Sequence, residues 1–146
     1  MAAEESTTRD LEEASRRAFE ALNRRDFDAA LSLYTPDVVL ELPPLGSAVL
    51  EGGPLIGHEA MRKVWEDLTE SFQDFEFDGQ DFHDLGSGVT FGVLVQRGRP
   101  HGSDSLVESR LGVVATWRDG RIARARMYKE LDQARAAAER LAEEQG

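Results

Sequence analysis

The segment ALNRRDFDAALSLYTPDVVLEL, residues 21–42, changes its apolar periodicity once and thereby decides the fold. Over residues 27–34 the apolar side chains follow the three- and four-residue spacing of a helix, and Asp26 suits the position that caps it. Beyond the following proline, residues 38–42 alternate and are β-branched, which is typical of a strand. The segment therefore predicts a short helix that gives way to the first strand.

Two longer helices are predicted on either side of this segment. Residues 8–25 repeat apolar residues at helical spacing. Residues 43–57 are rich in proline and glycine, which indicates a long surface loop. Residues 58–72 then form a third helix, whose apolar stripe includes Met61 and Trp65.

Four strand patterns and a final helix complete the chain. The Asp-Gly pair at 119–120 is a strong hairpin signal, so the last two strands should be antiparallel neighbours. Helices at the front and hairpin-linked strands behind favour an α+β fold, with a curved antiparallel sheet around about three N-terminal helices and a conical space between them. The predicted strands are residues 75–83, 89–99, 105–117 and 121–129, and the C-terminal helix covers 131–143.

Composition limits the function. The chain of 146 residues has 17 basic and 28 acidic residues, a formal charge of −11, which disfavours nucleic-acid and membrane-surface partners. It contains no cysteine, and its three histidines, His58, His83 and His101, are not spaced as a metal site. We expect a single cytoplasmic domain over residues 1–146, with an ordered core at about 8–131 and neither metal nor cofactor.

Three motifs resemble the SnoaL-like branch of the nuclear transport factor 2-like superfamily. They are ALNRRDFDAALSLYTPDVVLELPPLGS at 21–47, GHEAMRKVWEDL at 57–68 and TWRDGRIARARMY at 116–128. The resemblance implies a cone-shaped α+β barrel of the cystatin-like type. The superfamily includes polyketide cyclases, ketosteroid isomerases, scytalone dehydratase, epoxide hydrolases and the transport factor itself, so the fold alone does not decide the function.

The same resemblance implies that two familiar catalytic acids are missing. Ketosteroid isomerases place an aspartate base where this chain has Leu42 or Pro43, and a tyrosine on the first helix where it has Ala18. SnoaL-type cyclases carry an acid on the last strand, where this chain has Met127. None of these side chains can act as a general acid or base.

Epoxide hydrolases of the limonene type use two carboxylates bridged by an arginine. The resemblance makes Glu108 and Arg110, two apart on one strand face, the candidate catalytic pair, with Asp81 or Asp84 as a possible second carboxylate. On the alternation of this strand, Val114 shares the face of the pair.

These observations predict a protein that binds a small apolar molecule in an internal pocket. The alternatives are an enzyme (isomerase, cyclase, dehydratase or epoxide hydrolase type) acting on a small apolar substrate, and a dimeric scaffold in which Val107, Leu111, Val113 and Trp117 pack against a second copy. A homodimer through the outer sheet face is expected. The predicted pocket residues are Phe19, Tyr34, Leu40, Leu42, Met61, Trp65, Val114, Ala125 and Met127.

Overall fold

The computed structural model describes residues 2–42 and 54–145, with side chains from residue 11 onward. The predicted loop lies largely outside these residues. In chain order the elements are α1 Ala2–Asn23, α2 Phe27–Leu31, β1 Tyr34–Glu41, β2 Leu55–Ile56, α3 His58–Glu70, β3 Glu76–Asp84, β4 Val89–Gly98, β5 Val107–Arg118, β6 Arg121–Tyr128 and α4 Leu131–Gln145. Among the described helices, none combines the length and the apolar character needed to cross a membrane.

The strands form one six-stranded sheet in the order β2-β1-β6-β5-β4-β3, and the α+β prediction is confirmed. The sheet is mixed, because β1 and β6 are parallel neighbours while every other described pair is antiparallel. The meander β3–β6 leaves β6 with a free edge, and β1 joins that edge in the same direction. Because β2 and β3 remain at the two ends of this order, the sheet is open and does not close into a barrel.

Two local predictions need correction around β1. Tyr34, predicted to end the second helix, is the first residue of β1, and α2 ends at Leu31. Pro36 lies inside this strand. The pairing of β1 with β6 shifts register around it, as expected for a proline, which cannot donate a ladder hydrogen bond. Within the predicted loop, Leu55–Ile56 form the short strand β2.

Helices cover both faces of the sheet. On the inner face, α1 packs against β3 and α3 packs against β1 and β2, whereas on the outer face α4 packs against β4, β5 and β6. The outer helix lies very close to β5, since a Cβ added to Gly112 would be 2.4 Å from Ala134 Cβ. The sheet is thus the middle layer of the fold.

Asn23 fixes the C-terminal end of α1 to the edge strand β3. Its Nδ2 donates to the carbonyl oxygen of Phe77 at 2.6 Å, and the amide nitrogen of Phe77 donates to Asn23 Oδ1 at 2.7 Å. Arg25 adds a hydrogen bond to the carbonyl oxygen of Phe75 at 2.6 Å. These bonds hold α1 above the inner face and thereby define one wall of the space beneath it.

Candidate ligand-binding site

A cavity of about 80 Å³ lies between the inner sheet face and helices α1 and α3. Eight of the nine predicted pocket residues line it: Phe19, Tyr34, Leu40, Leu42, Met61, Trp65, Ala125 and Met127. These residues belong to or adjoin α1, β1, α3 and β6. The cavity therefore lies between the layer of inner helices and the sheet. No carboxylate, imidazole, ammonium or guanidinium group lines it among the described residues.

Val114 does not belong to this wall and is the one pocket prediction that needs correction. It is buried on the outer face, in a cluster with Ala134 and Ala138 of α4. Directly paired residues on neighbouring strands share a face, and the partners of Ala125 and Met127 on β5 are Ala115 and Val113. These two β5 residues line the cavity in place of Val114.

The same alternation places Glu108 and Arg110 outside the cavity. Both are exposed on β5. Glu108 Oε2 lies 3.2 Å from Arg97 Nε, and Arg97 also lies within 4 Å of carboxylate oxygens of Glu76 and Asp78. The hydrogen bond that Arg97 donates to Glu108, together with the nearby carboxylates, raises the pKa of Arg97. The structure therefore brings Glu108 into a solvated ion-pair cluster and not to the cavity wall.

The proposed second carboxylates also lie away from the cavity wall. Neither Asp81 nor Asp84 lines the cavity. The amide nitrogen of Asp84 donates to Glu12 Oε2 at 3.0 Å, and partial burial raises the pKa of the Asp84 carboxyl. No pair of carboxylates bridged by an arginine faces the cavity in the described part of the chain.

The surface predicted for a dimeric scaffold is also turned inward. Leu111 and Val113 line the cavity, and Trp117 belongs to the core cluster on the same side of the sheet. Val107, at the start of β5, is the exception and is 49% exposed. Leu111, Val113 and Trp117 therefore pack inside the chain, and the four residues do not form one continuous apolar surface for a second copy.

Four polar side chains interrupt the apolar wall. Ser15 Oγ donates to the carbonyl oxygen of Leu11 at 2.9 Å, while Thr90 Oγ1 accepts a hydrogen bond from Trp117 Nε1 at 2.9 Å. Burial raises the pKa of the Tyr34 phenol well above its ordinary value, so this hydroxyl remains protonated at neutral pH. Gln96, which is half-buried, is the fourth.

Histidine side chains take structural positions. The ring nitrogen Nε2 of His58 lies 3.1 Å from the carbonyl oxygen of Tyr34, and Nε2 of His101 lies 2.7 Å from that of Glu70. His83 stacks on Phe91 on the outer side. Within the described residues, no group of three His, Asp or Glu side chains could hold a metal ion.

The cavity residues on β3 and β4 were not predicted. They include Phe77, Phe82, Thr90, Gly92, Leu94 and Gln96. In β4 both faces are buried, because Val89, Phe91, Val93 and Val95 pack toward α4. Such a strand shows no polar alternation, so its inner residues carry no distinguishing signal in the sequence.

Phe82 sits in a slot made by two glycines. A Cβ on Gly79 would be 2.5 Å from Phe82 Cζ, and one on Gly92 would be 2.7 Å from Phe82 Cδ1. A register shift between Gln80 and His83 turns the strand locally, as β-bulges do. The half-buried Phe82 ring thereby reaches the cavity and stacks on Phe19 at 5.8 Å.

Solved structures with the same fold contain small molecules in some cases. TerC, crystallised with polyporic acid, is 17% identical with a TM-score of 0.71, covering 90% of this chain and 98% of its own. RV0760c from Mycobacterium tuberculosis, in complex with estradiol-17beta-hemisuccinate, is 18% identical with a TM-score of 0.68, covering 84% and 95%. A putative polyketide cyclase from Xanthomonas campestris pv. campestris is 21% identical with a TM-score of 0.66, covering 87% and 95%.

Sequence comparison gives the family directly. Among curated protein sequences, none matches this chain at a significant level. The model of the SnoaL-like domain matches residues 15–125, which span α1 to β6 and include most of the cavity wall. The resemblance seen in the three motifs is confirmed, and the chain belongs to the SnoaL-like domain family.

Proposed function

We propose that this protein binds a small, uncharged and mostly apolar organic molecule in the cavity between the sheet and helices α1 and α3. The observation that carries the proposal is the wall itself, which joins apolar side chains from both layers and includes no charged group among the described residues. Burying an ion there without a partner would be costly, so a neutral guest is favoured. The complexes of TerC and RV0760c with organic compounds support the same assignment by analogy.

The size of the cavity limits the guest. Its volume of about 80 Å³ is smaller than the roughly 150 Å³ engineered cavity that binds benzene. A molecule of one ring or more therefore requires part of the wall to move. Phe82, Leu42 and Met127 are among the lining residues that are only half-buried, so movement of these side chains is one way to enlarge the cavity.

Binding is favoured over acid–base catalysis by the wall chemistry. The family resemblance assigns the acids of related enzymes to Leu42 or Pro43 and to Met127; Leu42 and Met127 line the cavity, and none of these side chains can exchange a proton. An enzyme acting here on a small apolar substrate would need its acid or base from another source. Among the described cavity residues the Tyr34 phenol is the one titratable group, and because burial raises its pKa well above the ordinary value it can donate a hydrogen bond but does not release its proton at neutral pH.

The homodimer stays a prediction. Because α4 covers part of β4, β5 and β6, a second copy would have to contact the rest of the outer face or the exposed start of β5, where Leu106 and Val107 lie. Light scattering after size exclusion should give the mass of two chains at micromolar concentration. A single-chain mass throughout the concentration range would argue against it.

Binding can be tested with a probe hydrocarbon, α-methylstyrene, titrated into isotope-labelled protein and followed by amide chemical shifts. We expect saturable shifts at cavity residues and a raised Tm, since a ligand that binds only the native state stabilises it. Val113→Phe should fill the cavity and abolish the saturable shifts. Val107→Phe, the same change at an exposed site on the same strand, should leave them intact. Equal binding by both variants would overturn the proposal.

A further inference from the structure

Thr90 is the least exposed of the four polar side chains on the cavity wall. It lies on β4, is 3% exposed, and faces the cavity beside its cross-strand partner Ala115, whose own partner is Ala125. Ala115 and Ala125 carry short side chains and line the cavity together with Thr90. A ligand atom can therefore approach the hydroxyl without displacing either strand.

Trp117 determines which way this hydroxyl can act. Its indole Nε1 carries a proton and can only donate, so Thr90 Oγ1 is the acceptor of the 2.9 Å hydrogen bond between them. A threonine hydroxyl also carries one proton of its own to donate. Among the described residues, no acceptor takes that proton. Because the indole already donates to Thr90 Oγ1, the hydroxyl can use its own proton to donate a hydrogen bond into the cavity.

We propose that the cavity selects uncharged ligands carrying a hydrogen-bond-accepting oxygen, such as a ketone or ester carbonyl, and that the Thr90 hydroxyl donates to this oxygen. The inference rests on the proposed binding function and deepens it. A buried donor without a partner costs free energy, and a carbonyl oxygen removes that cost without bringing a charge into the apolar wall. A ligand that offers only donor groups leaves the Thr90 proton unpaired.

The test compares two probes of the same shape, acetophenone and α-methylstyrene, in which a carbonyl oxygen replaces a methylene group. Absolute affinities differ because water solvates the ketone better, so the informative quantity is how each affinity responds to a change at Thr90. Thr90→Val removes the hydroxyl while keeping the branched shape. Thr90→Ser keeps the hydroxyl and serves as the matched control.

We expect Thr90→Val to weaken acetophenone binding by roughly three- to tenfold, the usual effect of losing one hydrogen bond, while α-methylstyrene binding stays within about twofold. Thr90→Ser should keep both affinities close to those of the unchanged protein. In the unchanged protein, acetophenone should also move the Trp117 indole N–H resonance further downfield than α-methylstyrene does, because hydrogen bonds in a chain strengthen one another.

The results separate this inference from the binding function. If α-methylstyrene binds and Thr90→Val weakens both probes equally, or neither, the acceptor selection is wrong while the binding function stands. If Tyr34→Phe weakens acetophenone selectively and Thr90→Val does not, the donor is Tyr34 and the inference is overturned. If neither probe binds the unchanged protein, the binding function and the inference fail together. Because Thr90→Val also leaves the Trp117 indole unpaired, its Tm is measured first, and affinities are compared below the unfolding range.

Discussion

Tyr34 and Trp65 meet at the cavity with their ring centroids 5.8 Å apart. Trp65 also contacts Phe27 of α2, at a centroid distance of 5.9 Å. One indole therefore joins α3, α2 and the start of β1, and it lines the cavity at the same time. Stability and ligand binding should both depend on this side chain.

We expect Trp65→Ala to lower the free energy of unfolding by about 3–5 kcal/mol, because the indole is 5% exposed and leaves a void. Trp65→Phe should cost less, since it keeps a ring against Tyr34. Urea unfolding gives both values. Glu66→Ala, at the adjacent exposed position, is the control and should change stability little. A similar loss at both positions would contradict the role of the indole.

The hydrogen bonds between Asn23 and Phe77 should stabilise the attachment of α1 to β3. Asn23→Ala removes the partners of a backbone N–H and a backbone C=O, and we expect a loss of about 1–3 kcal/mol for these partly buried groups. Arg24→Ala, at the neighbouring exposed position, provides the comparison. Slower amide exchange at Phe77 in Asn23→Ala than in the unchanged protein would be incompatible with this account.

The slot under Phe82 predicts a coupled pair of substitutions. In Gly92→Ala the new methyl group would meet the Phe82 ring, and we expect a loss of about 1–3 kcal/mol from overpacking. In a Phe82→Ala background the same change should cost much less, since the ring is gone. A double-mutant cycle measures this coupling. Additive effects would show that Phe82 does not occupy the slot.

Asp84 should make stability depend on pH in a defined direction. Burial raises the pKa of its carboxyl in the folded protein above 3.8, so the folded state favours the neutral form and the charged form is destabilising. Asp84→Asn, which keeps an oxygen to accept from the Gly86 amide, should therefore be more stable than the unchanged protein above that raised pKa.

This advantage should shrink as the pH falls through the raised pKa, and it should vanish below about pH 3.8, where the unfolded carboxyl is also protonated. Unfolding at a series of pH values measures it. Asp81→Asn, the same substitution at an exposed position on the same strand, is the control. An Asp84→Asn variant less stable at pH 7 than the unchanged protein would refute the assignment.

Sequence patterns predicted the helices and strands better than they predicted which side of each strand faces the cavity. The stripe bearing Met61 and Trp65 was predicted correctly because a helix buried on one side keeps a strict period. On β6 a strict alternation would put Ala123 and Ala125 on the same face of the sheet. In the structure Ile122 and Ala125 are the residues that line the cavity. The register shift opposite Thr116 and Trp117 breaks the period there, and nothing in the composition of the hairpin signals it.

The parallel pairing of β1 with β6 and the inward face of β5 depend on contacts between distant segments. Val113 and Val114 are equally apolar, so their sequence context does not say which faces α4 and which faces the cavity. The outward direction of Val114 follows only once α4 is placed, because Gly112 beside it lets Ala134 approach. The donor role of Thr90 depends in the same way on Trp117, 27 residues further along the chain.

A crystal of this protein equilibrated with xenon under pressure would reveal whether the apolar cavity accepts a neutral guest. Xenon enters dry apolar cavities and identifies itself by its scattering. We expect a single strong xenon site in contact with Leu40, Trp65 and Leu94, which line the cavity. A well-ordered crystal with side chains filling that space and no xenon between the sheet and α3 would contradict it.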